Sequence, residues 1–285
     1  MLAHEFMRNA LLAGSAIAVA CGLAGYFVVL RAQVFAGDTL GHVAFTGALA
    51  AAAFGLDLRV GLYACTILAG IGLGALGDRA RADDVVIGSF LAWTLGLGVL
   101  FLTLYTTRSS GENGNASASV LFGSILGLST SDVHMAVALA ALAVILVLAI
   151  ARPLLYSTLD PLVAGAQGVP VRALGIAFLA ILGVIAAEAS QAVGALLLLG
   201  LLAAPAGAAQ RLTTNPYRGL LLSALFALAS VWLGLTLSYL APTLPPSTMI
   251  ISTAAAIYFL AFVATSAIVP RRGALEPHPV AGPGS

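Results

Sequence analysis

Nine apolar runs, separated by short polar or arginine-bearing stretches, set the pattern of this chain. They extend over Ala10 to Leu30, Val34 to Phe54, Val60 to Leu76, Val85 to Tyr105, Met135 to Ile150, Ala173 to Ala187, Val193 to Ala209, Gly219 to Leu240 and Met249 to Val269. Each approaches the roughly 20 residues that a helix needs to cross a bilayer, where all backbone polar groups must be satisfied within the segment. The pattern predicts an all-α polytopic transmembrane helix bundle. Several runs are short, so the expected number of spans is eight to ten.

Composition supports this class. Of 285 residues, 61% are hydrophobic and 8% charged, against roughly 25% charged in a soluble domain. The first run contains Ala18-Val-Ala-Cys21, which superficially looks like a cleavage or lipidation site. The apolar stretch continues to Leu30 and ends at Arg31, however, which is the length and flank of a spanning helix rather than a removed signal. Cys65 stands alone in a different run, so the two cysteines give no disulfide framework and read as small packing residues.

The chain contains no lysine, so orientation rests on arginine. Positive residues favour the cytoplasmic side. With nine spans, Arg79 and Arg81, Arg152 and Arg172, Arg211 and Arg218, and Arg271 and Arg272 all fall on one face. The loop from Thr106 to Asp132 then faces outward, and its sequon at Asn115 is too weak a pattern to carry meaning. Arg59 is the exception on the outer face, with Asp57 two residues before it. The missing lysine also excludes a GxxxxGK[ST] nucleotide-binding loop, and neither HExxH nor GxSxG occurs. The residues favour a transporter over an enzyme.

The strongest chemical signal is Asp38 with His42, in Phe35-Ala-Gly-Asp-Thr-Leu-Gly-His-Val-Ala-Phe-Thr-Gly47. A separation of four places both on one helix face. An acid near a helix centre is disfavoured by roughly 2.5 to 3.5 kcal/mol on insertion scales, so such a pair points to a passage or binding site. Carboxylate and imidazole together suit zinc, and also manganese or iron(II). The structural alternatives are a histidine bonding across helices and an aspartate capping the second span. Glu188, near Ser190 and Gln191, reads either as an acid at an outer gate or as a solvated turn residue. His4 with Glu5, and His134 with Asp132, are expected to bind metal weakly at most.

The segment from Arg152 to Arg172 reads as a loop holding one short helix. Asp160 can cap it, Pro161 suits its first turn, and Gly165 and Gly168 can end it. With Leu162, Val163 and Ala164 it has the form of an element that docks into a groove on a soluble partner, or of an ordinary interfacial connector. Gly70 and Gly74 form a small-xxx-small face for close helix contact, and Pro205 is expected to kink or unwind the seventh span.

The combination of Gly22-Leu-Ala-Gly25 with Phe27-Val-Val-Leu-Arg31, Gly37-Asp-Thr-Leu-Gly-His42, Asp84-Val-Val-Ile-Gly88, Leu121-Phe-Gly-Ser-Ile-Leu126, Asp160 to Gly168, and Val193-Gly-Ala-Leu-Leu197 continuing to Ala204-Pro-Ala-Gly-Ala208 resembles the membrane permease of bacterial ABC importers for zinc, manganese and ferrous iron. The likeness runs in order from about Phe6 to Val269. It implies a type II-like importer permease of the bacterial cytoplasmic membrane. Its partners would be a second copy of itself, two ABC ATPase subunits and an extracytoplasmic metal-binding protein, with lipid around it and no nucleic acid. The resemblance makes Asp38 and His42 the metal ligands on the translocation path. It also makes 157–169, with Asp160, Ala164, Gly165 and Gly168, the coupling helix. Asp84 and Gly88 match a motif without a physical role. The family commonly carries serine where Gly41 stands, which removes a hydroxyl beside the histidine. No cofactor would be held permanently, the transported ion being zinc first and manganese next, and ATP would act only through the partner. Residues 1–272 would form the permease domain and 273–285 a disordered tail. A stand-alone secondary transporter of a small solute or ion is the alternative.

Overall fold

A computed structural model describes residues 5–76, 84–108, 123–195, 198–241 and 243–268, and within them the chain is wholly helical apart from its connections. The helices are α1 (Glu5–Leu30), α2 (Val34–Ala53), α3 (Leu58–Leu76), α4 (Asp84–Arg108), α5 (Thr130–Leu159), α6 (Pro161–Ala166), α7 (Val171–Ala192), α8 (Leu198–Leu212), α9 (Pro216–Leu240) and α10 (Pro246–Ile268), with one 3-10 turn over Ile125–Gly127. Each of the nine apolar runs coincides with one long helix. Seven helices are long and apolar enough to cross a membrane. The two that fall short, α2 and α8, do so for different reasons: α2 is diluted by Asp38, His42, two threonines and three glycines, and α8 has only 15 residues. The chain is a multi-pass membrane protein.

Small residues decide how the bundle packs. In a bilayer, lipid tails are as apolar as leucine, so helices associate where backbones can approach closely. A Cβ on Gly74 would lie 2.7 Å from Ile176 Cα, one on Gly183 would lie 2.5 Å from the Thr66 carbonyl, and one on Gly70 would collide with the backbone of Leu179. These three glycines bring α3 against α7, as the Gly70 and Gly74 face predicts. Gly47 and Gly61 do the same for α2 against α3. The main core gathers α1, α5, α7, α8 and α9 around Phe27, Phe178, Leu182, Leu202 and Val231. In contrast, α4 packs chiefly on α2, where the Thr46 hydroxyl donates to the Thr94 carbonyl at 3.1 Å.

The arginine-bearing end is continuous in space. Arg172 donates to the Ala75 carbonyl at 3.1 Å, and Gln210, next to Arg211, donates to the Tyr26 carbonyl at 2.9 Å. The last turns of α1, α3 and α8 thus share one face with the start of α7. Arg211 also stacks over Phe262, 4.7 Å from its ring centroid, and donates to the Tyr258 hydroxyl. At the opposite end Arg59 is neutralised across helices: its guanidinium meets Asp132 at 2.5 Å. The sequence pairs Arg59 with Asp57, but Asp57 accepts only the Arg59 backbone N–H, at 2.8 Å.

Two boundaries differ from the sequence reading. Residues 152–159 are not loop, because α5 runs through Pro153 to Leu159. The seventh span begins at Leu198 rather than Val193, because Gly194 adopts φ +103° and turns the chain there. Pro205 lies inside α8 without interrupting it. Arg79, Arg81, Arg271, Arg272, His4, Asn115, the tail 273–285 and the Asp84 side chain lie outside the description.

Candidate functional site

Helix α2 carries the site. Its first turn is set by the Gln33 carbonyl, which accepts from Ala36 N at 3.1 Å and Gly37 N at 3.3 Å. Gln33 is the N-cap, so Asp38 stands a full turn inside the helix and caps nothing. At 1.5 Å per residue, His42 lies about 12 Å from the start of α2, next to Arg31, and about 16 Å from its other end, near the middle of the helix. Asp38 is about 6 Å nearer the start.

His42 Nε2 and Asp38 Oδ2 are 3.9 Å apart. That is too long for a hydrogen bond. Two donors holding one ion at about 2.1 Å with a tetrahedral angle are themselves about 3.4 Å apart. The gap is therefore that of an opened two-ligand cradle, closed by a few tenths of an ångström of side-chain movement. The pair is partly exposed: the side chains retain 15% exposure for His42 and 23% for Asp38, and Phe35, one turn before Asp38, is exposed. Phe35, Asp38 and His42 lie along one stripe of α2 that is partly open at its start and closes at buried Phe45 and Leu49. Among the described residues no third histidine, cysteine or acid joins them. One chain offers two candidate ligands of these types.

The same side of α2 is covered further along by the turn after α7, since Phe45 and Leu49 follow His42 at helical spacing. Ala195 is fully buried with Phe45 and Leu49, and Gly194 supplies the left-handed conformation that brings it there. Gly41 faces this turn: a Cβ would lie 3.0 Å from the Ala195 carbonyl and 3.1 Å from Leu198 Cδ2. The residue that sequence comparison marks as a lost hydroxyl is thus a point of close backbone approach. The Val193-Gly-Ala195 turn was legible only as the start of an apolar run. A glycine at the head of that run was the one signal for it.

Glu188 is not a solvated turn residue. It lies within α7 at 4% exposure, where the Tyr63 hydroxyl donates to its Oε1 and Gln191 Nε2 donates to that same hydroxyl at 3.0 Å. Asp132 lines the same small void and is engaged by Arg59 and by a capping box with Ser129. These groups join α3, α5 and α7. A separate apolar cavity of about 320 Å³ between α2, α3 and α4, lined by Cys65, Trp93 and Phe101, contains neither Asp38 nor His42.

At the arginine-rich end, the short helix forms as its sequence predicts. Asp160 Oδ1 accepts from Leu162 N at 3.1 Å and Val163 N at 3.0 Å, and Pro161 occupies the first turn. Ala164 is fully buried while Leu162 is 77% exposed. The helix ends in a Schellman motif, with Val169 N bonded to Ala164 O and Gly168 N to Gly165 O, both at 3.0 Å. Gly168, at φ +84°, is the terminator; Gly165 stays inside the helix and does not end it. Gly88 faces open space.

Comparison with known proteins comes to the same place. The family model described as "ABC 3 transport family" matches residues 3–265. The manganese transport system membrane protein MntC of Listeria innocua is 27% identical over 276 residues, covering 96% of this chain and 95% of the relative. The manganese import system permease protein ScaB of Streptococcus pneumoniae is 27% identical over 280 residues, covering 96% of each. Among solved structures, PsaBC from Streptococcus pneumoniae, in complex with Fab, aligns with a TM-score of 0.78 at 24% identity over 91% of both chains, which shows the shared fold.

Proposed function

The chain belongs to the ABC 3 transport family, and from that membership we propose that it is the permease subunit of an ATP-driven importer of a divalent metal ion. The observation that carries the reading is the Asp38 and His42 pair, 3.9 Å apart on one partly exposed stripe near the middle of α2. The metal is cargo. Two ligands bind it weakly, and a second copy of the chain, related by a two-fold axis at that stripe, raises the set to four.

Manganese is placed first. The relatives MntC and ScaB are named for it, and the oxygen and nitrogen donors accept it; zinc, which the donor chemistry alone puts first, becomes second. Hydrolysis of ATP belongs to two separate subunits that dock at α6, where exposed Leu162 and Val163 project beside the Asp160 cap. An extracytoplasmic metal-binding protein delivers the ion to the opposite face.

Reconstitution tests this. The chain co-expressed with its ATPase is expected to purify as a complex with two nucleotide-binding subunits and to take up radioactive manganese on ATP addition. Asp38→Ala and His42→Ala complexes are expected to assemble but not transport. Near-normal uptake in both variants, or gradient-driven transport by the chain alone, would overturn the reading.

A further inference from the structure

The path by which α6 reaches the metal-bearing helix has a specific carrier. We infer that Arg31 is a positioning residue that transmits displacement of α6 to the first turn of α2, and so to Asp38 and His42. This rests on the reading of α6 as the ATPase-docking element.

Arg31 ends the α1 to α2 corner and is 5% exposed. A guanidinium at that burial requires organised partners. Nη1 donates to Thr158 Oγ1 at 3.2 Å, Nε donates to Gln33 Oε1 at 3.1 Å, and the guanidinium lies 5.9 Å from the Phe178 ring centroid. Thr158 is in the last turn of α5, two residues before the Asp160 cap, and Phe178 is in α7. Arg31 is therefore held by the helix that enters α6 and the helix that leaves it. The Thr158 hydroxyl donates to the Leu154 carbonyl at 2.6 Å, which leaves its lone pairs for Arg31.

The other end of the link is equally direct. Gln33, which Arg31 grips, is the N-cap of α2, and its carbonyl receives the N–H groups of Ala36 and Gly37 in the first turn of that helix. Asp38 follows Gly37, the second of those donors. The corner itself is stiff: Arg31 N bonds Phe27 O at 2.9 Å and Gln33 N bonds Val28 O at 2.8 Å, around Ala32 at φ +53°. A non-glycine residue in that region persists only where its surroundings hold it. Ala164 anchors α6 to the bundle, so a push on α6 moves Thr158 and Phe178 together. Direct packing of α7 on α2 is the competing route.

The coupling ratio separates the two routes. In proteoliposomes holding the full complex, manganese transported per ATP hydrolysed is measured for wild type, Arg31→Gln, Arg31→Lys and Thr158→Val, with complex assembly and manganese affinity measured alongside. Arg31→Gln is expected to lower the ratio by about twofold to thirtyfold, the range for substitutions in coupling networks, with assembly and affinity retained. Thr158→Val is expected to move it in the same direction, and Arg31→Lys to restore part of it. A wild-type ratio in Arg31→Gln overturns the inference. If Arg31→Gln fails to fold, a wild-type ratio in Thr158→Val overturns it equally. A wild-type chain that forms no complex with the ATPase instead overturns the functional reading on which the inference stands.

Discussion

If the partly exposed stripe of α2 is completed by a second copy, one substitution in one copy must affect the whole ion site. In a tandem-fused dimer, Asp38→Ala placed in one half removes one of four ligands; placed in both halves it removes two. Loss of even an outer-shell partner typically lowers metal affinity by 10- to 100-fold, so each lost ligand is worth at least about 1.4 to 2.8 kcal/mol. The half-altered dimer is then expected to bind manganese about 10- to 100-fold more weakly, and the doubly altered one by about the square of that factor. The single-chain geometry sets this expectation: with Asp38 and His42 3.9 Å apart and no third ligand of these types among the described residues, nothing within one copy makes good the loss. The assay is uptake against manganese concentration in proteoliposomes, with complex yield as the control for folding. A half-altered dimer that retains half the maximal rate at an unchanged half-saturating concentration has two independent sites, and would refute the shared one.

Other outcomes follow from packing and capping. Gly74→Val puts a branched side chain where a Cβ would lie 2.7 Å from Ile176 Cα, and overpacking of this kind costs about 1 to 3 kcal/mol; a lowered Tm in detergent is expected, and an unchanged Tm would show that α3 and α7 are not so close. Tyr63→Phe leaves the buried Glu188 carboxyl without its donor, destabilising by about 1 to 3 kcal/mol, whereas Tyr63→Phe combined with Glu188→Leu is expected to recover most of the loss in the same melting experiment. Asp160→Ala removes the bonds to Leu162 N and Val163 N, worth about 1 kcal/mol; the permease is expected to fold normally but to bind its ATPase more weakly in pull-down titrations, and undiminished binding would separate α6 from docking. Gly41→Ser meets the Ala195 carbonyl and Leu198, so it is expected to disturb stability more than metal preference, measured as the manganese-to-zinc uptake ratio.

The helices were legible because the bilayer imposes one length and one composition on them. Asp160, Pro161 and Gly168 were legible because capping and left-handed termination are local chemistry. What sequence could not reveal was the state of each polar residue inside the bundle. Glu188 looked solvated because Ser190 and Gln191 follow it, yet Tyr63 reaches it from 125 positions away. Arg59 looked paired with Asp57 because they are adjacent, yet its guanidinium meets Asp132 on another helix. Residues 152–159 looked like loop because Pro153 follows Arg152, yet α5 continues through them. Partners far apart in the chain leave no periodic trace.

That distinction between paired and unpaired polar groups is what isolates the functional site. Within an apolar bundle an ionisable side chain is tolerated when it is satisfied, so satisfied groups reveal only how helices are joined. Glu188 has Tyr63, Asp132 has Arg59, and Arg31 has Gln33 and Thr158. Each of these links two or more helices and each is explained by doing so. Asp38 and His42 share one helix, stand too far apart for a hydrogen bond, and keep part of their surface exposed. Their arrangement joins no two helices of the single subunit, and on the proposed reading a bound cation fills the gap between them. On that reading, a cation between the two side chains, bounded by a second copy of the same stripe, would supply both the missing charge and the missing cover. The same reasoning makes the site reversible: ligands that no neighbouring hydrogen bond locks in place can separate when α2 moves, and a transported ion has to be released as well as bound.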